Sequence, residues 1–141
     1  MNNILIDTGF WIALYDKRDP YYWRASDLFD YLSIGQILIP YPSLYETINT
    51  RFVRNKQGLS DFKVLISKAD IHLLDDSIYK SDALDLTLNS SIFKDKHYSL
   101  VDMVIRLMLS DNRLNINYLI SFNPGDFIDI CSKRRIEILS E

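Results

Sequence analysis

Short runs of consecutive apolar residues alternate along the chain with longer stretches of helical spacing. Asn3–Asp7 is an apolar run closed by an acid and reads as a strand, with a brief helical turn after it over Trp11–Tyr15. Pro20 breaks the pattern, since it cannot continue a helix interior. From Tyr21 to Ile34 the residues Trp23, Ala25, Leu28, Phe29 and Leu32 supply one apolar helix face, and Gly35 is expected to stop it. "QILIP" predicts a second strand, closed by Pro40. Ser43 to about Lys56 reads as a helix ended by Gly58, and Ser60–Ala69 as a further helix paired with it. "IHLL" predicts a third strand, Ser77–Asn89 a helix, "SSIFKDKHY" a loop and Ser99–Leu109 a strongly apolar helix. "NYLIS" predicts a fourth strand, "FNPGD" a turn, Asp126–Ile130 one helical turn and "RIEIL" a last strand.

Apolar strands of about five residues alternating with helices predict a parallel sheet covered on both faces. The expected class is α/β, a three-layer α/β/α sandwich around a mostly parallel sheet of about five short strands. The 141 residues, 48% of them apolar, are expected to form one domain over 1–141. A single cysteine, Cys131, excludes an intrachain disulfide framework. The start "MNNILID" lacks a basic leader, and no run reaches the roughly 18 apolar residues of a membrane span, so a cytoplasmic protein is expected. The net charge of −3 lacks the basic excess usual in nucleic-acid-binding domains. Clustered catalytic acids would themselves lower it.

Three of the acids follow strands. Asp7 closes the first strand, Glu46 is expected in the first turn of the helix after the second, and Asp126 lies in the turn after the fourth. The C-terminal ends of parallel strands share one edge, where open sheets bind ligands. Asp102 joins them from "SLVDMVIRLMLS", where Asp102, Arg106 and Ser110 form a narrow polar stripe on a mostly buried helix. Each acid has a plain structural alternative. "SLYE" and "SLVD" fit a capping box, Asp7 and Asp126 are natural N-caps, and Asp102 can pair with Arg106 one turn on.

Charge repulsion separates these readings. Two carboxylates about 5 Å apart repel by roughly 3 kcal/mol at an effective dielectric of 20. Helix N-termini return only about 0.3–1 kcal/mol each. A divalent cation resolves the conflict, and an all-oxygen donor set without a histidine or cysteine cluster favours Mg²⁺ or Mn²⁺ over zinc. A metal on an open sheet edge suits phosphoryl chemistry. No Gly-rich phosphate loop and no GxSxG elbow is present, and His72 and His97 stand alone.

The order "ILIDTGFWIAL", "PSLYETIN", "YSLVDMVIRLML", "YLISFNPGDF" resembles the PIN domain family, and within it the VapC-like ribonuclease toxins of toxin–antitoxin pairs. The resemblance spans nearly the whole chain. It implies metal-dependent hydrolysis of RNA phosphodiesters by an endoribonuclease. Asp7, Glu46 and Asp102 match its three principal acids, with Asp126 or Asn123 at the fourth position. It implies Asp7, Asp102 and Asp126 as metal ligands, and hydroxyl support from Thr8 and Ser121. Glu46 would orient or deprotonate the attacking water. Arg51 and Arg54, expected on the Glu46 helix, are candidate RNA contacts, with a solvated helix face as the alternative. An antitoxin protein and a second copy of the chain are the expected partners. The aromatics Tyr21, Tyr22 and Trp23 are a core cluster or a groove for an antitoxin helix.

Rival classes fail on single positions. Haloacid-dehalogenase phosphatases need an aspartate two residues after the first, where Gly9 stands, and receiver domains need an acid pair that "LIDTG" lacks. The remaining alternative is a PIN-like module that binds RNA or protein without catalysis, kept open by the uncharged Asn123.

Overall fold

The computed structural model describes residues 2–140. Five strands, β1 (Asn2–Ile6), β2 (Gly35–Pro40), β3 (Ile71–Leu74), β4 (Tyr118–Ile120) and β5 (Glu137–Leu139), form one parallel sheet in the order β3-β2-β1-β4-β5. The chain builds outward from β1 through β2 to β3, then returns to lay β4 on the other side of β1. The crevice between the carboxyl ends of β1 and β4 is therefore the topological switch point, where open α/β sheets bind ligands.

Side-chain alternation divides each central strand between two cores. Ile4, Ile6, Ile37, Ile39 and Ile120 face one side, against helices α1 (Thr8–Leu14), α2 (Tyr22–Phe29), α3 (Tyr41–Thr47), α4 (Thr50–Val53) and α5 (Lys56–Ile66). Leu5, Leu38 and Leu119 face the other, against α6 (Lys80–Phe93), α7 (Leu100–Ser110) and α8 (Ile128–Arg134). The result is the expected three-layer α/β/α sandwich. A Cβ at Gly35 would run into the Asn2 backbone, so the tight start of β2 against β1 requires glycine.

Several boundaries differ from the sequence reading. The expected helix Ser43–Lys56 is two helices. Ile48 leaves helical geometry (φ −87°, ψ 57°), and Asn49 closes both ends of the break. Its amide donates to the Glu46 carbonyl at 3.0 Å and its side-chain oxygen accepts from Phe52 N–H at 2.9 Å. Since α3 begins at Tyr41, Glu46 lies in its last turn rather than in a first turn. Arg51 and Arg54 therefore do not share a helix with Glu46; Arg51 lies within α4 and Arg54 at its C-terminal boundary. Gly58 does not end a helix but lies in the first turn of α5, where Asn55 accepts its N–H. The Tyr21–Ile34 helix stops at Phe29 and tightens to 3₁₀ geometry over Asp30–Ile34. Helix α6 continues through Phe93, so the first four residues of the expected loop are helical.

Candidate functional site

The site is built where β1 and β4 end. The Asp7 backbone N–H donates to the Ile120 carbonyl at 3.0 Å, so β1 and β4 are still laced together at the mouth of the crevice. Asp7 is only 6% exposed. It caps α1, accepting the Thr8 backbone N–H on Oδ1 at 2.7 Å, and its Oδ2 accepts the Ser121 hydroxyl at 3.0 Å. The Ser121 oxygen in turn accepts the Asn123 N–H at 3.0 Å. Asp7 is thus both the cap allowed for in the sequence and a charge held at the crevice. Burial raises its pKa above the usual carboxylate value, with Glu46 and Asp126 adding to the rise and the Thr8 N–H and Ser121 hydroxyl opposing it.

Glu46 reaches the same place from the end of α3. One of its oxygens accepts the Thr8 hydroxyl at 2.9 Å. The capping-box reading of Ser43–Glu46 fails, because Pro40 precedes the first turn of α3 and Ser43 is buried within it. Thr8 therefore spans two acids, its backbone on Asp7 and its side chain on Glu46.

Asp102 enters from the first turn of α7. The Ser99 hydroxyl oxygen accepts the Asp102 backbone N–H at 3.0 Å, so that cap is as expected. The expected pairing with Arg106 is not made. Arg106 instead donates to both oxygens of Asp129, at 2.8 and 2.7 Å, and to the Asp126 backbone carbonyl at 2.7 Å, with its guanidinium 4.3 Å above the Tyr98 ring. Among the described residues Asp102 has no cationic partner. Burial, then repulsion from Asp7, Asp126 and Glu46, pushes its pKa up to about 6.

Asp126 lies in a 3₁₀ turn, Pro124–Asp126, whose cap is Asn123, so Asp126 is not an N-cap. The Arg106–carbonyl bond fixes this turn against α7. Between the two candidates for the fourth position, the Asp126 charge acts on Asp7 and Asp102, while exposed Asn123 contributes its backbone N–H to Ser121. No sequence signal marks Asp129 or Tyr98 as partners of Arg106. Asp129 reaches it through the packing of α8 on α7, and Tyr98 from the segment just before α7.

Among the described residues, no group of three or more Asp, Glu, His or Cys side chains stands close enough together to hold a metal ion between them. The charges of Glu46 and Asp126 act on Asp7, and those of Asp7, Asp126 and Glu46 act on Asp102. Mg²⁺ needs only one or two carboxylates, with water and substrate phosphate at its other positions, and Asp7 and Asp102 would supply that number. The all-oxygen donor set and the uncompensated charge at Asp7 and Asp102 fit such an ion.

The same architecture is found in solved structures. VapC20 of Mycobacterium tuberculosis, described as a toxin that cleaves the sarcin–ricin loop, superposes with a TM-score of 0.70 at 16% identity, over 89% of this chain and 94% of that one. This is the fold of the VapC toxins. A chain of the VapBC2 assembly of Rickettsia felis, bound to a DNA fragment from its promoter, matches with a TM-score of 0.59 at 15% identity, over 96% of each chain. No family model matches the chain, and no curated protein matches it in sequence. The chain thus shares its fold with these two structures at low sequence identity. In this chain Asp7 lies at the switch-point crevice, and the charges of Glu46, Asp102 and Asp126 act on or with it there.

Proposed function

We propose that this protein is a metal-dependent endoribonuclease acting in the cytoplasm, the toxin of a toxin–antitoxin pair, built as a single PIN-like domain. One observation carries the reading: four carboxylates from distant parts of the chain repel one another across one crevice, and the arginine that could neutralise them is engaged elsewhere. Capping by Asp7 accounts for one of the four, but not for the mutual repulsion at Asp102, and strongly perturbed carboxylates in a crevice mark a binding or catalytic site.

Asp7 and Asp102 would hold the cation, with Asp126 reaching it directly or through water. A bound Mg²⁺ or Mn²⁺ would polarise the scissile phosphodiester and lower the pKa of a water beside it. Glu46, steadied through one oxygen by the Thr8 hydroxyl, uses the other to orient the attacking water and take its proton. The water oxygen bonds to phosphorus as the bond to the leaving oxygen breaks, and the departing oxygen takes a proton from solvent water at the open edge. The Ser121 hydroxyl holds the Asp7 carboxylate in its rotamer, and Asn123 holds Ser121. Arg51 and Arg54 are exposed and free to meet RNA phosphates at their remaining donors.

Two surfaces support the proposed partners. Helix α6 leaves Leu84, Leu88, Ile92 and Phe93 exposed, the last at 77%, a stripe suited to a second copy of the chain. Leu14, Tyr22, Phe29, Val64 and Leu65 line a groove of about 390 Å³ between α2 and α5, with Trp23 exposed on α2, which suits an amphipathic antitoxin helix. Tyr21 is not part of it; its ring stacks on Phe122, 4.7 Å away, beside Ser121. Among the described residues no helix is long and apolar enough to cross a membrane.

The direct test is cleavage of labelled RNA by the purified protein with Mg²⁺ or Mn²⁺ and with a chelator. The parent is expected to cut only with metal, and Asp7→Asn/Asp102→Asn to lose at least about a hundredfold in rate while keeping its circular dichroism. Equal cleavage by the variant would overturn the assignment. Calorimetric titration with Mn²⁺ separates the enzyme from a PIN-like binding module without catalysis, which would give no acid-dependent heat.

A further inference from the structure

We propose that Asp16 holds Arg18 and Arg51 as a clasp for a phosphate of the substrate strand, beside the nucleotide that is cut. The inference rests on the ribonuclease reading and adds a binding site to it. Asp16 lies just beyond the C-terminal end of α1, on the wall of a cavity of about 130 Å³ between α1 and α4. Its two oxygens serve two different arginines. Oδ2 accepts Arg51 Nη2 at 2.8 Å, and Oδ1 accepts Arg18 Nε at 3.4 Å and the Arg18 backbone N–H at 3.0 Å.

The count of charges distinguishes this cluster. Among the described residues the other arginine–carboxylate pairs, Arg106 with Asp129 and Arg113 with Asp111, are one to one. Here two guanidinium groups share one carboxylate, which leaves one net positive charge on a concave surface. Both arginine side chains are mostly exposed, at 80% for Arg18 and 71% for Arg51. Each has further N–H donors directed to no partner among the described residues. The Arg18 backbone N–H and the two guanidinium groups hold the Asp16 carboxyl below its usual pKa, so the template stays ionised near neutrality. A phosphate with its own oxygens between two such forks is the complementary ligand.

Position ties the clasp to the acids. Helix α1 has Asp7 at one end and Asp16 just past the other, and its seven residues span about 10 Å. On the opposite wall, Asn49 bonds the Glu46 carbonyl and caps the helix that carries Arg51. Asn49 thus links the helix that carries Arg51 to the end of the helix that carries Glu46. The floor between them is Ile12 with Tyr15 and Phe52, whose rings meet edge to face at 5.8 Å. A polyanion approaching four carboxylates meets repulsion, and a cationic anchor one helix-length away offsets it outside the reacting centre.

The experiment uses the full chain, a chelator to prevent cutting, and a short fluorescein-labelled single-stranded RNA followed by anisotropy across a salt series. Arg18→Gln/Arg51→Gln is compared with the charge-matched Lys63→Gln/Lys133→Gln, two exposed lysines that do not line the cavity. Losing two phosphate contacts should weaken binding about tenfold and reduce the salt slope by about 1.4, with the lysine variant near the parent. In cleavage with Mn²⁺, KM should rise by a similar factor while kcat stays within about twofold. Parent-like binding and salt slope in the arginine variant would overturn the clasp and leave the ribonuclease reading standing. Equal weakening in both variants would also overturn it, as the effect of net charge alone. A parent that neither binds nor cuts RNA would overturn both.

Discussion

Replacing Asp102 by asparagine should stabilise the metal-free protein, the reverse of what most substitutions at a half-buried position do. The carboxyl titrates at 3.8 in an ordinary setting and at about 6 in the fold. Between those values the folded chain retains a proton that the unfolded chain has lost. Stability therefore falls as pH rises through this window, and above about 6 the full penalty of an ionised Asp102 is present. At about 1.4 kcal/mol per pH unit the difference is nominally about 3 kcal/mol. Asp102 is only half-buried, and solvent screening reduces this to about 1.5 kcal/mol. The carboxylate also interacts favourably with the N-terminus of α7, and losing that returns up to about 0.5 kcal/mol. The expected net gain is about 1 kcal/mol at pH 7.5, or roughly 3–4 °C in Tm for a chain of this size. It should vanish near pH 4, where the parent's carboxyl is protonated as well. Thermal unfolding followed by circular dichroism, at pH 4 and 7.5 in chelator, measures both. Adding Mg²⁺ or Mn²⁺ at pH 7.5 should then raise the parent by about 1.4 kcal/mol at ten times its Kd and leave the variant behind. A variant destabilised equally at both pH values, or stabilised equally at both, would refute the claim that uncompensated repulsion resides at Asp102.

Thr8→Val should lower kcat about tenfold and leave Mn²⁺ affinity unchanged, because it removes the hydroxyl on Glu46 but keeps the backbone N–H on Asp7; Thr8→Ser should restore the rate. Arg106→Met keeps much of the apolar stem but breaks the paired bonds to Asp129 and the bond to the Asp126 carbonyl, so it should cost about 2 kcal/mol in urea unfolding and reduce cleavage by releasing the turn that carries Asp126. Arg135 ends α8 in the left-handed region (φ 57°), where a side chain is strained, and Arg135→Gly should gain about 0.5–1 kcal/mol by the same measurement with no change in activity.

The framework was legible in the sequence because local periodicity encodes it. Each of the five strands is a short apolar run, and Ile4, Leu5 and Ile6 announce burial on both faces before any partner is known. Strand-end acids were legible for a related reason. In a parallel sheet the carboxyl ends share an edge, so Asp7 and the turn holding Asp126 could be placed together from strand order alone. Helix boundaries around Glu46 were less legible. One side chain, Asn49, satisfies the end of α3 and the start of α4 together, and helical spacing on either side conceals the break.

What decided the charge balance of the site was tertiary. On its own helix Arg106 is the natural partner of Asp102, four residues on, and any local reading pairs them. The packing of α8 brings Asp129 and the Asp126 carbonyl to Arg106 from across the layer, and a paired, partly buried guanidinium bond outcompetes a single-turn contact at the helix surface. The sequence alone therefore determined that Asp7 and the turn holding Asp126 end on one edge, since in a parallel sheet every strand's carboxyl end does. Only the folded structure decided that Asp102 meets their charges without its arginine, since that depends on which distant carboxylate reaches the arginine first.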